Sequence, residues 1–334
     1  MASIAGAAQS SYAITLRSVE EAAKRIAPYA RRTPVLTSRT FDALAGGGGH
    51  RLLFKCELFQ NGGAFKFRGA CNAVFSLTDA EAAKGIITHS SGNHAQAVAL
   101  AARARGVPAC VVMPDNAPAV KKAAVAGYGA RIVECAPHER EGACAREAAA
   151  GGYTFVHPSN DPRVMAGQGT LALELLAQVK VNLDALVVPV GGGGMISGVA
   201  TAAKALQPGI RVFGAEPAGA DDAFRSKAAG ALQGHDKARG HPRTVADGLK
   251  TTLGSNTWPI VRDKVERIFL VEEDAIVAAT RLVWERMKLV IEPSAGTGVA
   301  VALSPAFRAL EGIANVGVVL CGGNVSLDSL PWQK

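Results

Sequence analysis

Lys66 is the residue best placed to act as a nucleophile, because it stands in the run Asn61-Gly-Gly-Ala-Phe-Lys-Phe-Arg-Gly-Ala70 with a phenylalanine on each side. Apolar surroundings favour the neutral amine over the ammonium ion, and a neutral lysine attacks carbonyl carbons. The same decapeptide also suits a lysine snorkelling from the start of a helix. The choice between the two readings rests on what the rest of the chain offers.

Two further stretches offer binding chemistry. Ser90-Ser-Gly-Asn-His94 follows an apolar strand pattern and opens a helical one, so hydroxyls, an amide and successive backbone N–H groups form a donor-rich turn suited to a carboxylate. A helix cap needs one such serine, and this turn has two, with Asn and His beside them. The tetraglycine 191–194 lies in the same strand-to-helix setting, where bare N–H groups converge on a phosphate at the positive helix end. No Walker-type Gly-Lys-Ser/Thr follows it, and it lacks the setting of a dinucleotide fingerprint. Tight packing of helix on strand is the competing reading. A fourth stretch, Glu216-Pro-Ala-Gly-Ala-Asp-Asp222, gathers carboxylates and carbonyls at a turn, as a hard cation or plain solvation would require.

The elements that must position these groups alternate. Strand patterns at 51–56, 85–88, 109–113, 130–135, 153–156, 184–190, 211–215 and 315–320 are interleaved with helical ones at 17–30, 67–77, 93–105, 119–126, 140–150, 163–179, 195–206, 273–288 and 296–303. Near-continuous apolar strands joined by helices predict parallel sheets covered on both faces. Thr33-Pro-Val-Leu36 reads as extended, 46–49 as a flexible turn, and Asp221 to Gly248 as a polar connecting or lid-like segment.

Composition narrows the class. With 334 residues, 49% hydrophobic and 19% charged, the chain buries a large core in two domains or one large α/β unit. The net charge of +8 is scattered, with no block of five like charges, so nucleic acid is not expected as a partner and anionic small molecules are favoured, and no apolar run reaches the length of a membrane span, so a membrane is not expected either. Six cysteines without a Cys-x-x-Cys pair read as free thiols in a reducing compartment. The first sixteen residues read as a loose tail. Their Ala/Ser content without an acid before Glu20 fits a transit peptide, whereas a first basic residue at Arg17 does not. The expectation is a cytoplasmic protein, with organellar import as the alternative.

Phe65-Lys-Phe-Arg-Gly-Ala70, Ser90-Ser-Gly-Asn-His94, Ala166-Gly-Gln-Gly-Thr170, the glycines 191–194 and Cys321-Gly-Gly-Asn324 occur here in the order found in fold type II pyridoxal-phosphate enzymes. From about Leu16 to Ser329 the chain resembles their serine racemase and threonine dehydratase family. The resemblance implies two open twisted α/β sheet domains of the tryptophan synthase beta type with helices on both faces. Residues 1–76 and 161–334 would form the large domain and 77–160 a small domain inserted in it, with the cofactor in the cleft and two copies in a homodimer.

The resemblance also assigns roles. Lys66 would carry pyridoxal phosphate covalently beside Phe65, Asn93 would bond its phenolic oxygen, and Gly191, Gly192, Gly193, Gly194 and the Met195 N–H would cradle its phosphate. Gly248 would line the ring face. Ser90, Ser91, Asn93 and His94 would hold the substrate carboxylate, and Ser91 would be the second acid/base opposite Lys66. Cys321 falls where the family places a neutral Ser or Cys beside the pyridine nitrogen; a thiol with an ordinary pKa near about 8.5 does not keep that nitrogen protonated as a carboxylate would. Glu216, the Ala220 carbonyl and Asp222 would hold Mg²⁺, or Ca²⁺ or Mn²⁺ in its place. Mammalian members carry Lys-Thr before the lysine turn as part of an ATP site. Here Asn61-Gly62 stands instead, while Gln96 and Tyr128 match that site, so the expectation about ATP is divided.

The implied activity is interconversion of L- and D-serine with β-elimination of serine to pyruvate and ammonia. The alternatives are a threonine/serine dehydratase, a 3-hydroxyaspartate or aspartate racemase-dehydratase, and, from another class, a non-catalytic amino-acid or phosphate sensor.

Overall fold

The structure, a computed structural model, describes residues 12–46, 49–117, 119–235 and 240–333. Two sheets carry the fold. The larger runs in the order β1 (Val35–Thr37), β2 (Arg51–Cys56), β10 (Asn315–Leu320), β7 (Ala185–Pro189), β8 (Arg211–Pro217) and β9 (Arg267–Val271). The smaller runs β5 (Arg131–Cys135), β4 (Ala109–Pro114), β3 (Ile86–His89) and β6 (Thr154–Phe155). All pairings are parallel except that of β1 with β2. Strands β4 and β7 are buried along their whole length, as parallel strands covered by helices must be.

The helix Lys66–Phe75 is held at both ends of its first turn. The Phe65 N–H donates to the Cys321 carbonyl at 3.0 Å, and Ala64 bridges Gly322, so the lysine is tied to the end of β10. Farther along, Gly69 lies so close to the helix Pro162–Gln178 that a Cβ there would meet the Val164 carbonyl at 2.7 Å. The second residue after Lys66 adds a charge lock. Arg68, fully buried, donates to both oxygens of Glu57 (2.7 and 2.9 Å) and both of Glu174 (2.7 and 2.8 Å), and Lys55 joins Glu174 at 2.8 Å. Two cations and two carboxylates balance; removing one partner from such a buried set costs about 3–5 kcal/mol.

Several expectations need correction. The N-terminal tail lies outside the described residues up to Ser11, but Tyr12 donates to Asp263 at 3.0 Å and Ile14 is buried, so the chain is docked from there on. The segment 221–248 is not all connecting loop: Asp222–Ala229 is a helix whose buried Asp222 and Ser226 are held by backbone hydrogen bonds. Part of that segment, 236–239, and part of the turn at 46–49 lie outside the described residues. Strand β9 and the helix Trp258–Lys264 before it were not anticipated. Residues 315–320, the last strand along the chain, lie inside the sheet between β2 and β7. Among the described residues no helix is long and apolar enough to cross a membrane.

Candidate active site

The carboxyl ends of β3, β7 and β10 and the start of the helix Lys66–Phe75 meet in one cleft, the place where parallel sheets bind ligands. Lys66 lies in it. Its Nζ donates to the Pro158 carbonyl at 2.7 Å and stands 5.2 Å from the Phe65 ring. Burial, opposed by Cys321 and Glu292, brings its pKa down to about 8, so the neutral amine is accessible far below the ordinary lysine range.

The glycine turn packs on Ser159, the residue after the Pro158 carbonyl that holds the amine. Glycines 191–194 lead into the helix Gly194–Leu206, and among the described residues their four N–H groups donate to nothing. A Cβ at Gly192 would fall 2.3 Å from Ser159 Oγ, so the walls of the turn leave room for backbone only. Both readings of the tetraglycine therefore hold: packing demands the glycines, and their bare N–H groups remain free at a positive helix end. This cradle suits a phosphate, and the buried amine suits an aldehyde, so the residues fit pyridoxal phosphate. Met195 is buried in the first turn of the same helix. Gly248 lies alongside, its carbonyl 3.2 Å from where a Gly191 Cβ would stand and its N–H bonded to Ser294 Oγ at 3.2 Å.

Asn93 is the junction of the polar network. Its Nδ2 donates to both oxygens of Glu292 at 3.0 Å, and its Oδ1 accepts from Asn324 Nδ2 at 2.9 Å. Glu292 received no role from the sequence. Burial raises its pKa to about 7. Its one local signal is a lone acid at the start of the helix Pro293–Leu303, after the apolar run Leu289-Val-Ile291. Its Oε1 is 4.0 Å from Cys321 Sγ, and burial first, then Glu292, pushes that thiol well above its usual range. Cys321 is therefore a neutral thiol.

The serine turn divides its labour. Ser90 Oγ accepts from the Gly92 N–H at 3.3 Å, whereas Ser91 Oγ has no hydrogen bond among the described residues. His94 is buried beneath them, with Nε2 donating to the Val156 carbonyl (3.2 Å) and Nδ1 unpartnered. Burial, Lys66 and the neighbouring histidines hold its pKa far below the ordinary range, so it is neutral and offers only an acceptor toward the turn.

Away from the cleft, Glu216 accepts from the N–H groups of Ala223 and Phe224 at 2.8 Å, and Asp222 Oδ2 accepts from Leu253 N at 2.9 Å. Among the described residues Asp222 Oδ1 has no hydrogen bond, and His235 Nδ1 is 3.8 Å from it. Burial, and then Asp222, raises Glu216 to about 9; burial raises Asp222 to about 6. Ala220 is buried in the turn between them, beside a cavity of about 200 Å³ lined by Gly219, Asp221 and His235. Among the described residues no three His, Cys, Asp or Glu side chains form a ready ligand set, so a cation there would draw on carbonyls such as that of Ala220. Two buried carboxylates short of counter-charge fit one.

Gln96 stands on the helix Asn93–Arg105 and Tyr128 in the turn after the helix Ala119–Gly127, and no hydrogen bond joins them among the described residues. Asn61 is committed elsewhere, donating to the Tyr29 carbonyl at 2.7 Å.

Residues 26–322 match the model of the family described as pyridoxal-phosphate dependent enzyme. The chain is 50% identical to the serine racemase of Homo sapiens, over 97% of this chain and 95% of that one. The solved serine racemase of maize superposes with a TM-score of 0.91 at 46% identity, covering 95% of each chain. The solved threonine deaminase of T.th. gives 0.88 at 43%, covering 95% of this chain and all of that one.

Proposed function

Because the chain belongs to the pyridoxal-phosphate dependent enzymes, we propose that it interconverts L- and D-serine and also eliminates serine to pyruvate and ammonia. The observation that carries the reading is the buried Lys66 amine, held on the Pro158 carbonyl beside four unpartnered glycine N–H groups. When bound, pyridoxal phosphate supplies an electron sink that acidifies the α-hydrogen of an amino acid. Lys66 would anchor it and take or return that proton on one face; the neutral Cys321 thiol would leave the ring nitrogen without a proton, which would favour quick return of the α-proton over transamination. Phe65 would pack beside Lys66, Gly248 would line the ring face, Asn93 would hold the phenolic oxygen, and Gly191 to Gly194 with the Met195 N–H would hold the phosphate. Ser90, Ser91 and Asn93 present donors to the substrate carboxylate above the neutral His94, and Ser91 serves the opposite face.

Chiral product analysis with L-serine, D-serine, threonine and 3-hydroxyaspartate tests the assignment: D-serine forms from L-serine, with pyruvate alongside. Product from threonine or hydroxyaspartate but none of the other serine enantiomer would point to the dehydratase or hydroxyaspartate readings. A protein with no turnover on any of them would be a sensor.

Supporting assignments follow from the same family. Residues 77–160 form the smaller domain, inserted between 1–76 and 161–334, and two copies associate. All six cysteines are free, in keeping with a reducing, cytoplasmic setting. Glu216, Asp222 and the Ala220 carbonyl take Mg²⁺ or a similar ion. A raised carboxyl pKa means that the folded state binds the proton more tightly than the unfolded one, so the stabilisation is complete below the ordinary carboxylate range, near about 4, and is lost as pH climbs through the folded values. In chelator, the melting temperature should therefore drop between pH 6 and 9. Mg²⁺ at a hundredfold excess over its dissociation constant should restore about 5 °C at pH 8.5 and little at pH 5.5, where protons compete. Equal Mg²⁺ responses in wild type and Asp222→Ala at pH 8.5 would remove the site.

Asn61 offers no charge to a phosphate, so Mg-ATP should change turnover by less than about twofold. Strong activation in a nucleotide titration would show that other groups build that site.

A further inference from the structure

His157 lies beside the cleft and received no role from the sequence. Its Nδ1 accepts two backbone hydrogen bonds, from the N–H of Ser159 at 3.1 Å and of Asn160 at 2.9 Å. This is the pattern of an Asx turn, with an imidazole nitrogen in place of the Asn or Asp oxygen. A nitrogen accepting two donors carries no proton, which fixes the tautomer with hydrogen on Nε2. Burial, then His89 and Lys66, lower the pKa of the ring to about 4, so the lone pair persists at neutral pH.

The turn so closed touches both halves of the site. The Pro158 carbonyl takes the Lys66 amine at 2.7 Å. Ser159, 7% exposed, forms the wall of the glycine cradle: its Oγ would lie 2.3 Å from a Cβ at Gly192, and its carbonyl 2.7 Å from one at Gly194. Asn160 fixes the far side through its Oδ1, which accepts from Asn256 N at 2.8 Å. Just upstream, the Val156 carbonyl collects both Thr88 Oγ1 (2.8 Å) and His94 Nε2 (3.2 Å). Four residues thus set the distance between amine and cradle, and one ring nitrogen closes their turn.

We infer that His157 is a positioning residue, its Nδ1 acceptor shaping the turn 157–160 so that the Lys66 amine and the phosphate cradle engage one cofactor together. The inference rests on the cofactor reading above. A ring present only for packing is the rival account, since His157 also meets His89 and Phe155 edge-on at 6.0 and 5.9 Å.

The two accounts separate by isostere. Asparagine places its Oδ1 where Nδ1 stands and closes the turn without the ring; glutamine places its polar atoms near Nε2 and does not. Equilibrium dialysis against pyridoxal phosphate, with absorbance to follow the bound fraction, is the measurement. His157→Gln should raise the dissociation constant about thirtyfold, the loss expected for two ordinary hydrogen bonds, while His157→Asn stays within about threefold of wild type. The visible band of the Gln variant should also titrate at a shifted pH, because its amine has lost a fixed partner. Wild-type affinity in His157→Gln, or a loss above tenfold in a folded His157→Asn, overturns the inference, and the Asn arm decides alone if the Gln variant does not fold. A wild-type protein lacking any visible band that depends on Lys66 would defeat the cofactor reading itself, and this inference with it.

Discussion

Lys66→Ala protein should show no imine band in the visible after exposure to pyridoxal phosphate, and its racemase and eliminase rates should fall by about a thousandfold or more. The expectation combines three features that no other lysine among the described residues shares. The amine is buried at the start of a helix pinned to β10, its charged form is disfavoured down to about pH 8, and its carbonyl partner adjoins Ser159, the wall of a glycine turn whose N–H groups have no acceptor among the described residues. The depressed pKa has a further reading. Capture of the cofactor by apo-protein needs the neutral amine, so its rate should rise with pH and level off near 8, not near the ordinary lysine value of 10.5. Stopped-flow absorbance over pH 6 to 10 measures it. The substitution removes an amine without touching the phosphate cradle, so non-covalent binding of pyridoxal phosphate should survive in part. A variant that kept both the band and full turnover would show that another amine carries the cofactor.

Ser91→Ala should abolish L-to-D conversion, by about a hundredfold or more, while leaving elimination from L-serine within about tenfold of wild type. Inverting a stereocentre requires a proton to leave one face of a planar carbon and return on the other. One lysine without a large swing serves one face. Ser91 Oγ is the hydroxyl of the donor-rich turn without a hydrogen bond among the described residues, whereas Ser90 is already bonded to Gly92. A serine hydroxyl is a weak acid in water, so it needs help from the bound cofactor or the dipoles at the start of the helix Asn93–Arg105. Elimination from L-serine needs Lys66 as base and assistance to the departing hydroxide, but nothing on the far face. The variant should accordingly also lose elimination from D-serine. Racemisation at close to the wild-type rate in Ser91→Ala would reduce Ser91 to a carboxylate anchor and leave a dehydratase as the better description.

What could be read from the sequence was local. The lysine turn, the serine turn and the tetraglycine are contiguous, and each announces itself by residue types that a strand or helix alone would not need. The partners that complete them come from far along the chain. Glu292 reaches Asn93 across 199 residues and Asn324 across 231, so no window of sequence shows that Asn93 is the junction of a network. His157 was hidden differently: an imidazole imitating an Asx turn leaves no compositional trace. Polarity misled at 221–248, where the backbone satisfies the buried Ser226 hydroxyl and one oxygen of the buried Asp222. Strand β9 was missed because it is an edge strand whose Arg267 and Leu270 face solvent, blurring the apolar run that marked its buried neighbours. Strand positions along the chain likewise say nothing of order within a sheet, and the placement of β10 came from the structure alone.

That placement has a consequence during synthesis. β2 and β7 are both made long before residues 315–320, yet neither touches the other, because β10 fills the gap between them. The emerging polypeptide must hold two unjoined blocks with raw edges until some three hundred residues have left the ribosome, a high-contact-order assembly that exposes sticky surface to its surroundings. The Cys321 carbonyl and Gly322, which pin the lysine helix, arrive in the same late segment. Vitamin capture is therefore an event that follows translation of residue 321, and nascent chains stalled short of β10 should be chaperone clients that cannot retain the coenzyme.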